Sequence, residues 1–353
     1  MNFSLILKYS RLLLLPFIPL YLLAFYLIRY FSKQERFSVP VICVGNITTG
    51  GTGKTPAVIC IARILKEMGF SPGIASRGYR GSKSKEGAIV SDGKTILLDH
   101  IEAGEEALLI AMSLKNVPVA ICSRRTEAVR ALICKFNINV VILDDGFQNN
   151  SLYKDINIVI IDALNPFAKG LLLPAGNLRE PLSSLKRSDA VFINKIDLVA
   201  ESIANEIVMR TKKQAGGSKI FFSGYGNSIL LKMNNLKSEV SVQKIKNKKI
   251  LLVSGIGNPE SFARTIAEYC PADIAHLSYP DHHSYSQQDM GIISRKSQGY
   301  DLVITTEKDY IKMRCFQVPD KFYFMRISFV IREPDPFKKW IESYLRNINN
   351  RKS

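Results

Sequence analysis

The chain has 353 residues, 46% of them hydrophobic and 22% charged, and its 48 Lys and Arg against 31 Asp and Glu give a net charge of +17. This excludes a disordered chain and a polytopic membrane protein, and predicts about two globular units of the usual ~100 to 200 residues. The charge favours anionic partners such as phosphorylated ligands, anionic lipid or nucleic acid. Six scattered cysteines with no CxxC pair, and four histidines, leave little for a disulfide framework or zinc chemistry.

The first element is the uncharged run LLLLPFIPLYLLAFYLI at 12–28, with Lys8 and Arg11 before it and Arg29, Lys33 and Arg36 after it. A helix of that length reaches roughly 26 Å against a hydrocarbon core of about 30 Å, so spanning is strained. Pro16 and Pro19 interrupt the helix, while Tyr21, Tyr26 and Tyr30 suit a membrane interface. No small-x-small site follows the run and nucleotide chemistry begins within twenty residues, which argues against a cleaved signal peptide. Residues 1–34 are expected to form a monotopic or shallowly inserted helical anchor; a helix packed on the soluble part is the alternative.

From residue 39 onward short β-branched runs alternate with helical patterns. VPVICVG (39–45) reads as a buried strand and PAVICIARILKEMG (56–69) as a helix, with Val58, Ile61, Ile64, Leu65 and Met68 on one face. VVILDD (140–145), INIVIIDA (156–163) and AVFINK (190–195) are further strands, and their continuous hydrophobicity marks a mainly parallel sheet covered by helices on both faces. The core unit is expected over 35–230, a polar, lysine-rich linker or hairpin over 231–250, and a smaller C-terminal α/β unit over 251–353. That unit runs from KKILLVSGIG through DLVITTEKD and KFYFMRISFVI to the helix DPFKKWIESYLRNI.

The strongest chemical signal is GNITTGGTGKTP at 45–56, between a strand and a helix. In a P-loop NTPase that context lets glycine-rich backbone N–H groups cradle phosphates. Thr48, Thr49, Gly50, Gly51, Thr52 and Gly53 would line the nucleotide, Lys54 would reach its outer phosphates, and the Thr55 hydroxyl would hold Mg²⁺. The pattern GxxxxGK[ST] is met except that Thr48 stands where its first glycine belongs. Asp144 and Asp145 close a later strand, and an acid there can hold Mg²⁺ or its water opposite the P-loop threonine. INKID places Asn194, Lys195 and Asp197 in the NKxD pattern with which GTPases read guanine, so a GTP-driven switch is one alternative. Another P-loop small-molecule kinase is a second. A nucleic-acid-binding ATPase is a third, although no helix-turn-helix or RNA-binding motif accompanies the charge.

Eight blocks occur in order: GNITTGGTGKTP at 45, SRGYRG at 76, AGEEALLIA at 103, LDDGFQN at 143, LPAGNLREP at 173, GIGNPESF at 255, YPDHH at 279 and TTEKD at 305. With these the chain, from its apolar start to about residue 310, resembles the tetraacyldisaccharide 4'-kinases of lipid A biosynthesis. The resemblance implies ATP and Mg²⁺ as cofactors and transfer of the γ-phosphate to the 4'-hydroxyl of a tetraacylated glucosamine disaccharide 1-phosphate. With it, action is expected at the cytoplasmic face of the inner membrane; the positive charge adds an anionic lipid surface as partner, and no nucleic acid or obligate protein partner is expected. The family's catalytic pair, an Asp and a His, falls on Glu105 and His282, with Glu106 either replacing Glu105 or approaching the metal beside Asp144. Ser76, Arg77, Tyr79 and Arg80, together with Arg124 and Arg125, follow strands and are suited to substrate phosphate and sugar. Gln148, Arg179 and Glu180 stand where the family contacts ligand or orders the site. GIGNP and 307–309 read as turns near the cleft.

Overall fold

The computed structural model describes residues 13–226 and 228–352. Residues 1–12, the first third of the expected anchor with Lys8 and Arg11, lie outside the described residues. The anchor's remainder forms a helix over Ile18–Phe31 with a proline in its first turn, where no intrahelical N–H bond is lost.

The strands are β1 (Val41–Gly45), β2 (Pro72–Ser76), β3 (Ala88–Ser91), β4 (Val119–Ile121), β5 (Val140–Asp144), β6 (Ile156–Asp162), β7 (Ala190–Asn194) and β8 (Lys219–Tyr225). They continue with β9 (Ile229–Lys232), β10 (Asn235–Ser241), β11 (Lys249–Ser254), β12 (Asp273–Ser278), β13 (Leu302–Thr306), β14 (Phe322–Arg326) and β15 (Phe329–Ile331). Two sheets result. A nine-stranded sheet runs β15-β8-β7-β6-β1-β5-β2-β4-β3, and a six-stranded sheet runs β10-β9-β14-β13-β11-β12.

In the larger sheet β8, β7, β6, β1, β5, β2 and β4 are parallel, and the edge strands β3 and β15 run antiparallel. The Val and Ile side chains of β1, β5, β6 and β7 are fully or almost fully buried, as a sheet covered on both faces requires. β1 sits between β5 and β6, so the strand feeding the phosphate loop is central, and the crevice at its carboxyl end is where open α/β sheets bind ligands.

The 231–250 stretch contains a hairpin arm: β9 and β10 pair with each other and β9 joins β14, inside the smaller sheet. KFYFMRISFVI, read as one piece of the smaller unit, is two strands in different sheets, because β15 leaves the smaller sheet and pairs with β8. The terminal helix Pro334–Lys352 follows it back. Phe337 packs on Phe192 and Phe221 at centroid distances of 5.2 and 5.3 Å, and Tyr344 donates to Asp189. The hydrophobic face of that helix finds its partner on the larger sheet, a long-range preference that local pattern does not encode.

Candidate active site

The phosphate loop is held by its neighbours as much as by its glycines. Gly45 is forced by contact, since a Cβ there would lie 2.5 Å from the Phe147 Cβ. Gly53 has φ +93°, a left-handed conformation that starts the helix Lys54–Glu67 two residues before the expected 56. At Thr48, where the motif has glycine, the chain is pinned by pairing: Thr48 bridges Leu178, the Thr49 N–H donates to the Asn177 carbonyl at 2.7 Å, and the Arg179 N–H to the Ile47 carbonyl at 2.8 Å. The GNLREP block thus serves as a backbone splint for the first limb of the loop.

The NKID residues are taken up structurally. Asn194 is fully buried, donates through Nδ2 to the Thr52 carbonyl at 3.1 Å, and accepts from Ser223 Oγ through Oδ1. Lys195 pairs with Asp162, and Asp197 pairs with Arg332. Asn194 is committed to bracing the phosphate loop, while Lys195 and Asp197 sit in ion pairs, that of Asp197 being exposed. The Lys54 ammonium lies 3.4 Å from Asn46 Oδ1 and 3.8 Å from Asp145 Oδ1.

Register brings the acids to the same place. β1 pairs β5 with Val44 beside Asp144, and β2 pairs β5 with Ala75 beside Leu143, so Ser76 Oγ donates to Asp144 Oδ2 at 3.2 Å. Asp144 is 2% exposed, and its Oδ1 has no hydrogen-bond partner among the described residues. Burial, with the charges of Glu106 and Asp145, pushes its carboxyl up to about 7. Asp145 behaves oppositely. Burial works against its ionisation, yet Lys54 and Arg179 hold it below the ordinary carboxylate range, Arg179 through a 3.0 Å hydrogen bond. Asp145 has φ +50°, and Lys154 Nζ stabilises the following turn by donating to the Gly146, Phe147 and Asn149 carbonyls.

Across the cleft, the helix Glu105–Ser113 meets the loop after β12. His282, at φ +63°, has Nδ1 3.2 Å from Glu105 Oε2 and 3.3 Å from Oε1, while Nε2 lies 3.8 Å from Asp281 Oδ2. Of the two adjacent histidines, His283 is occupied elsewhere, stacked on Tyr279 and 3.2 Å from Asp289. Tyr79, Arg80, His100, Glu105, Glu106 and His282 share a cleft of about 220 Å³. Glu106 pairs with Lys308 at 3.3 Å.

The expected substrate residues divide. Tyr79 and Arg80 line the cleft; Arg77 and Arg124 are exposed and are not among its lining residues; Ser76 is buried on Asp144. Four others are braces. Arg125 is 5% exposed and donates to the Cys122 and Ser123 carbonyls. Gln148 donates to the Asn46 carbonyl and to Glu180, Arg179 holds Asp145, and Glu180 is fully buried against Gln148 and Arg187. Glu180 and Arg125 are thus buried on protein partners, Glu180 in the ordering arrangement that was one of its expected roles. The turn expected at 307–309 is the start of the helix Glu307–Met313, capped by Thr306 and packed on the helix Glu105–Ser113. Asn46, Asn194 and Lys312 belong to the site's framework and were not singled out for it; the NKxD pattern signalled Asn194 for another reason.

A family model described as tetraacyldisaccharide-1-P 4'-kinase matches residues 10–346. The tetraacyldisaccharide 4'-kinase of Syntrophus aciditrophicus is 37% identical over 303 residues, covering 81% of this chain and 78% of that one. That of Halothermothrix orenii is 40% identical over 292 residues, covering 79% and 76%. The crystal structure of LpxK from Aquifex aeolicus in complex with ATP superposes with a TM-score of 0.78 at 29% identity, over 95% of this chain and 99% of that one. The P-loop crevice, the buried acid on β5 and these likenesses agree: the chain belongs to the tetraacyldisaccharide-1-P 4'-kinase family and is an ATP-dependent kinase.

Proposed function

We propose that this kinase moves the ATP γ-phosphoryl group to the 4'-hydroxyl of a tetraacylated glucosamine disaccharide 1-phosphate, with His282 and Glu105 activating the acceptor. The observation that carries the reading is the His282–Glu105 pair, placed beside Glu106, whose charge acts on Asp144 at the phosphate loop. With the Nδ1 hydrogen donated to Glu105, Nε2 remains to accept the hydroxyl proton, and the carboxylate stabilises the imidazolium that forms. The sugar oxygen bonds to the γ-phosphorus as the bond to the bridging oxygen breaks, and ADP leaves. Lys54 would stabilise charge on the transferring group. Tyr79 offers a ring to the sugar or acyl chain, and Arg80, Arg77 and Arg124 offer cations to the substrate phosphate.

Asp144, Thr55 and Glu106 are the side chains that would hold Mg²⁺, which when bound neutralises charge on the nucleotide phosphates. Asp144 fits this role: its unpartnered buried oxygen and its raised pKa both describe a carboxylate short of a cation. Among the described residues no group of three or more His, Cys, Asp or Glu side chains encloses a metal, so phosphate and water would complete the shell, as Mg²⁺ ordinarily prefers.

Action at an anionic membrane surface, on the cytoplasmic face of the inner membrane, is part of this reading, and the helix Ile18–Phe31 supports its membrane contact. Its Leu20, Leu23, Leu27, Ile28 and Phe31 are exposed, while Tyr21 faces the protein and donates to the Arg179 carbonyl at 2.6 Å. No described helix is long and apolar enough to cross a membrane. Exposed apolar side chains on one side and a polar tie on the other suit a helix lying in the interface.

The test is incubation of the purified chain with radiolabelled ATP, Mg²⁺ and the lipid disaccharide in detergent. Label is expected in the lipid at the 4' position for wild type and about 10² to 10⁴ times more slowly for His282→Ala. Unimpaired turnover by His282→Ala would remove the proposed base.

A further inference from the structure

Beneath Glu105 lies a lysine that neither the sequence pattern nor the reaction outlined above uses. Lys312, on the helix Glu307–Met313, is 2% exposed, with its ammonium 3.0 Å from Asp309 Oδ1 and 3.8 Å from Glu105 Oε1. A buried ammonium is costly unless nearby carboxylates compensate it. Asp309 is already well supplied: fully buried, it accepts from Tyr285 Oη at 3.1 Å and from Thr306 Oγ1 at 2.6 Å, and Thr306 in turn caps the helix. Tyr285 and Thr306 therefore fix Asp309, which lies beside the ammonium, while Lys312 Nζ makes no hydrogen bond among the described residues and lies across the interface between the two helices from Glu105.

We propose that Lys312 is a positioning residue of this kinase: braced by Asp309, its ammonium holds the Glu105 carboxylate against Nδ1 of His282. The inference rests on the acceptor-side pairing of Glu105 with His282 given under Proposed function. Glu105 carries one more methylene than the Asp that the family resemblance places at its position, so its carboxylate has more rotamers to lose. A fixed cation behind it removes that freedom while leaving the outer oxygen to the imidazole. The same contact ties the element carrying Glu105, in the larger α/β unit, to the element following β13 of the smaller sheet. That registers the dyad whose two members come from opposite sides of the cleft.

The experiment is steady-state kinetics of the full chain with ATP, Mg²⁺ and tetraacyldisaccharide 1-phosphate in mixed micelles. Wild type is compared with Lys312→Met, Lys312→Arg, His282→Ala and the two double variants with His282→Ala. Lys312→Met is expected to lower kcat about 10- to 100-fold, the scale of a small misplacement at a reacting centre, with KM for ATP changed less than about twofold. In the His282→Ala background the same substitution is expected to change the residual rate less than about twofold, because the oriented carboxylate no longer has an imidazole to serve. Lys312→Arg keeps a cation in the slot and covers the case in which the methionine variant does not fold. Its loss should be smaller and should also vanish beside His282→Ala. Full activity of Lys312→Met, or losses that multiply in either double variant, would overturn the proposal while leaving the dyad standing. A fully active His282→Ala single variant would instead remove the dyad, and this proposal with it.

Discussion

Asn194 closes the last turn of the phosphate loop: its Nδ2 donates to the Thr52 carbonyl at 3.1 Å, and a Cβ on Gly53 would come within 2.8 Å of the same nitrogen. The side chain on β7 and the glycine on the loop are thus fitted to each other. Asn194→Ala leaves a buried carbonyl and a buried Ser223 hydroxyl short of partners, a loss of about 1 to 3 kcal/mol of stability. It should raise KM for ATP without shifting preference toward or away from GTP. Asp197→Ala breaks only the exposed contact with Arg332 and should leave nucleotide preference unchanged. Competition of each nucleotide for radiolabelled ATP checks both, and a selective loss of GTP binding in Asp197→Ala would contradict the structural role given to this motif.

Lys54 and Asp145 form the second relationship. At 3.8 Å, and with Arg179 on the other side of the carboxylate, Asp145 holds the lysine in the loop before nucleotide arrives. Lys54→Met is expected to lower kcat about 10² to 10³-fold through lost charge stabilisation, and Asp145→Asn to cost less. Rapid-quench measurement of a single turnover separates this from slow product release. A lysine variant as fast as wild type in the chemical step would contradict the assignment.

The raised pKa of Asp144 gives a pH dependence with a definite sign. Its folded value of about 7 lies above the ordinary 3.8, so between those pH values the folded chain keeps a proton that the unfolded chain releases. Stability of the nucleotide- and cation-free protein therefore falls as pH rises through that window, and the loss is complete above about pH 7. Bound Mg²⁺ favours the ionised carboxylate, so its stabilising effect should be larger at pH 8 than at pH 6. Thermal melts of wild type and Asp144→Asn, with and without Mg²⁺, measure it. The variant should melt higher than wild type at pH 8 without cation and respond little to Mg²⁺; an equal Mg²⁺ response in both proteins would refute the metal-side role.

The exposed apolar side of the helix Ile18–Phe31 predicts membrane affinity. Removal of residues 1–30 should abolish flotation with vesicles containing phosphatidylglycerol and lower the rate on micellar lipid more than the affinity for ATP. Tyr21→Phe, which removes the tie to the Arg179 carbonyl, should leave flotation intact. Unchanged flotation of the truncated chain would mean that another surface meets the lipid.

Local pattern in the sequence determined much of this protein. The β-branched runs around 41–45, 140–144, 156–162 and 190–194 are strands, GNITTGGTGKTP is a strand-loop-helix, and Asp144 ends the strand beside it, because each rests on near-neighbour periodicity or backbone conformation. The ordered blocks supplied Glu105 and His282 by resemblance. Tertiary structure alone decided that these two side chains, 177 positions apart, come within 3.2 Å. Packing also sends β15 back to β8, makes Asn194 a brace, buries Glu180 and Arg125 as supports, and places Lys312 under Glu105. Such outcomes depend on which faces bury against each other and in what register, and those free energies sum over residues distant in sequence.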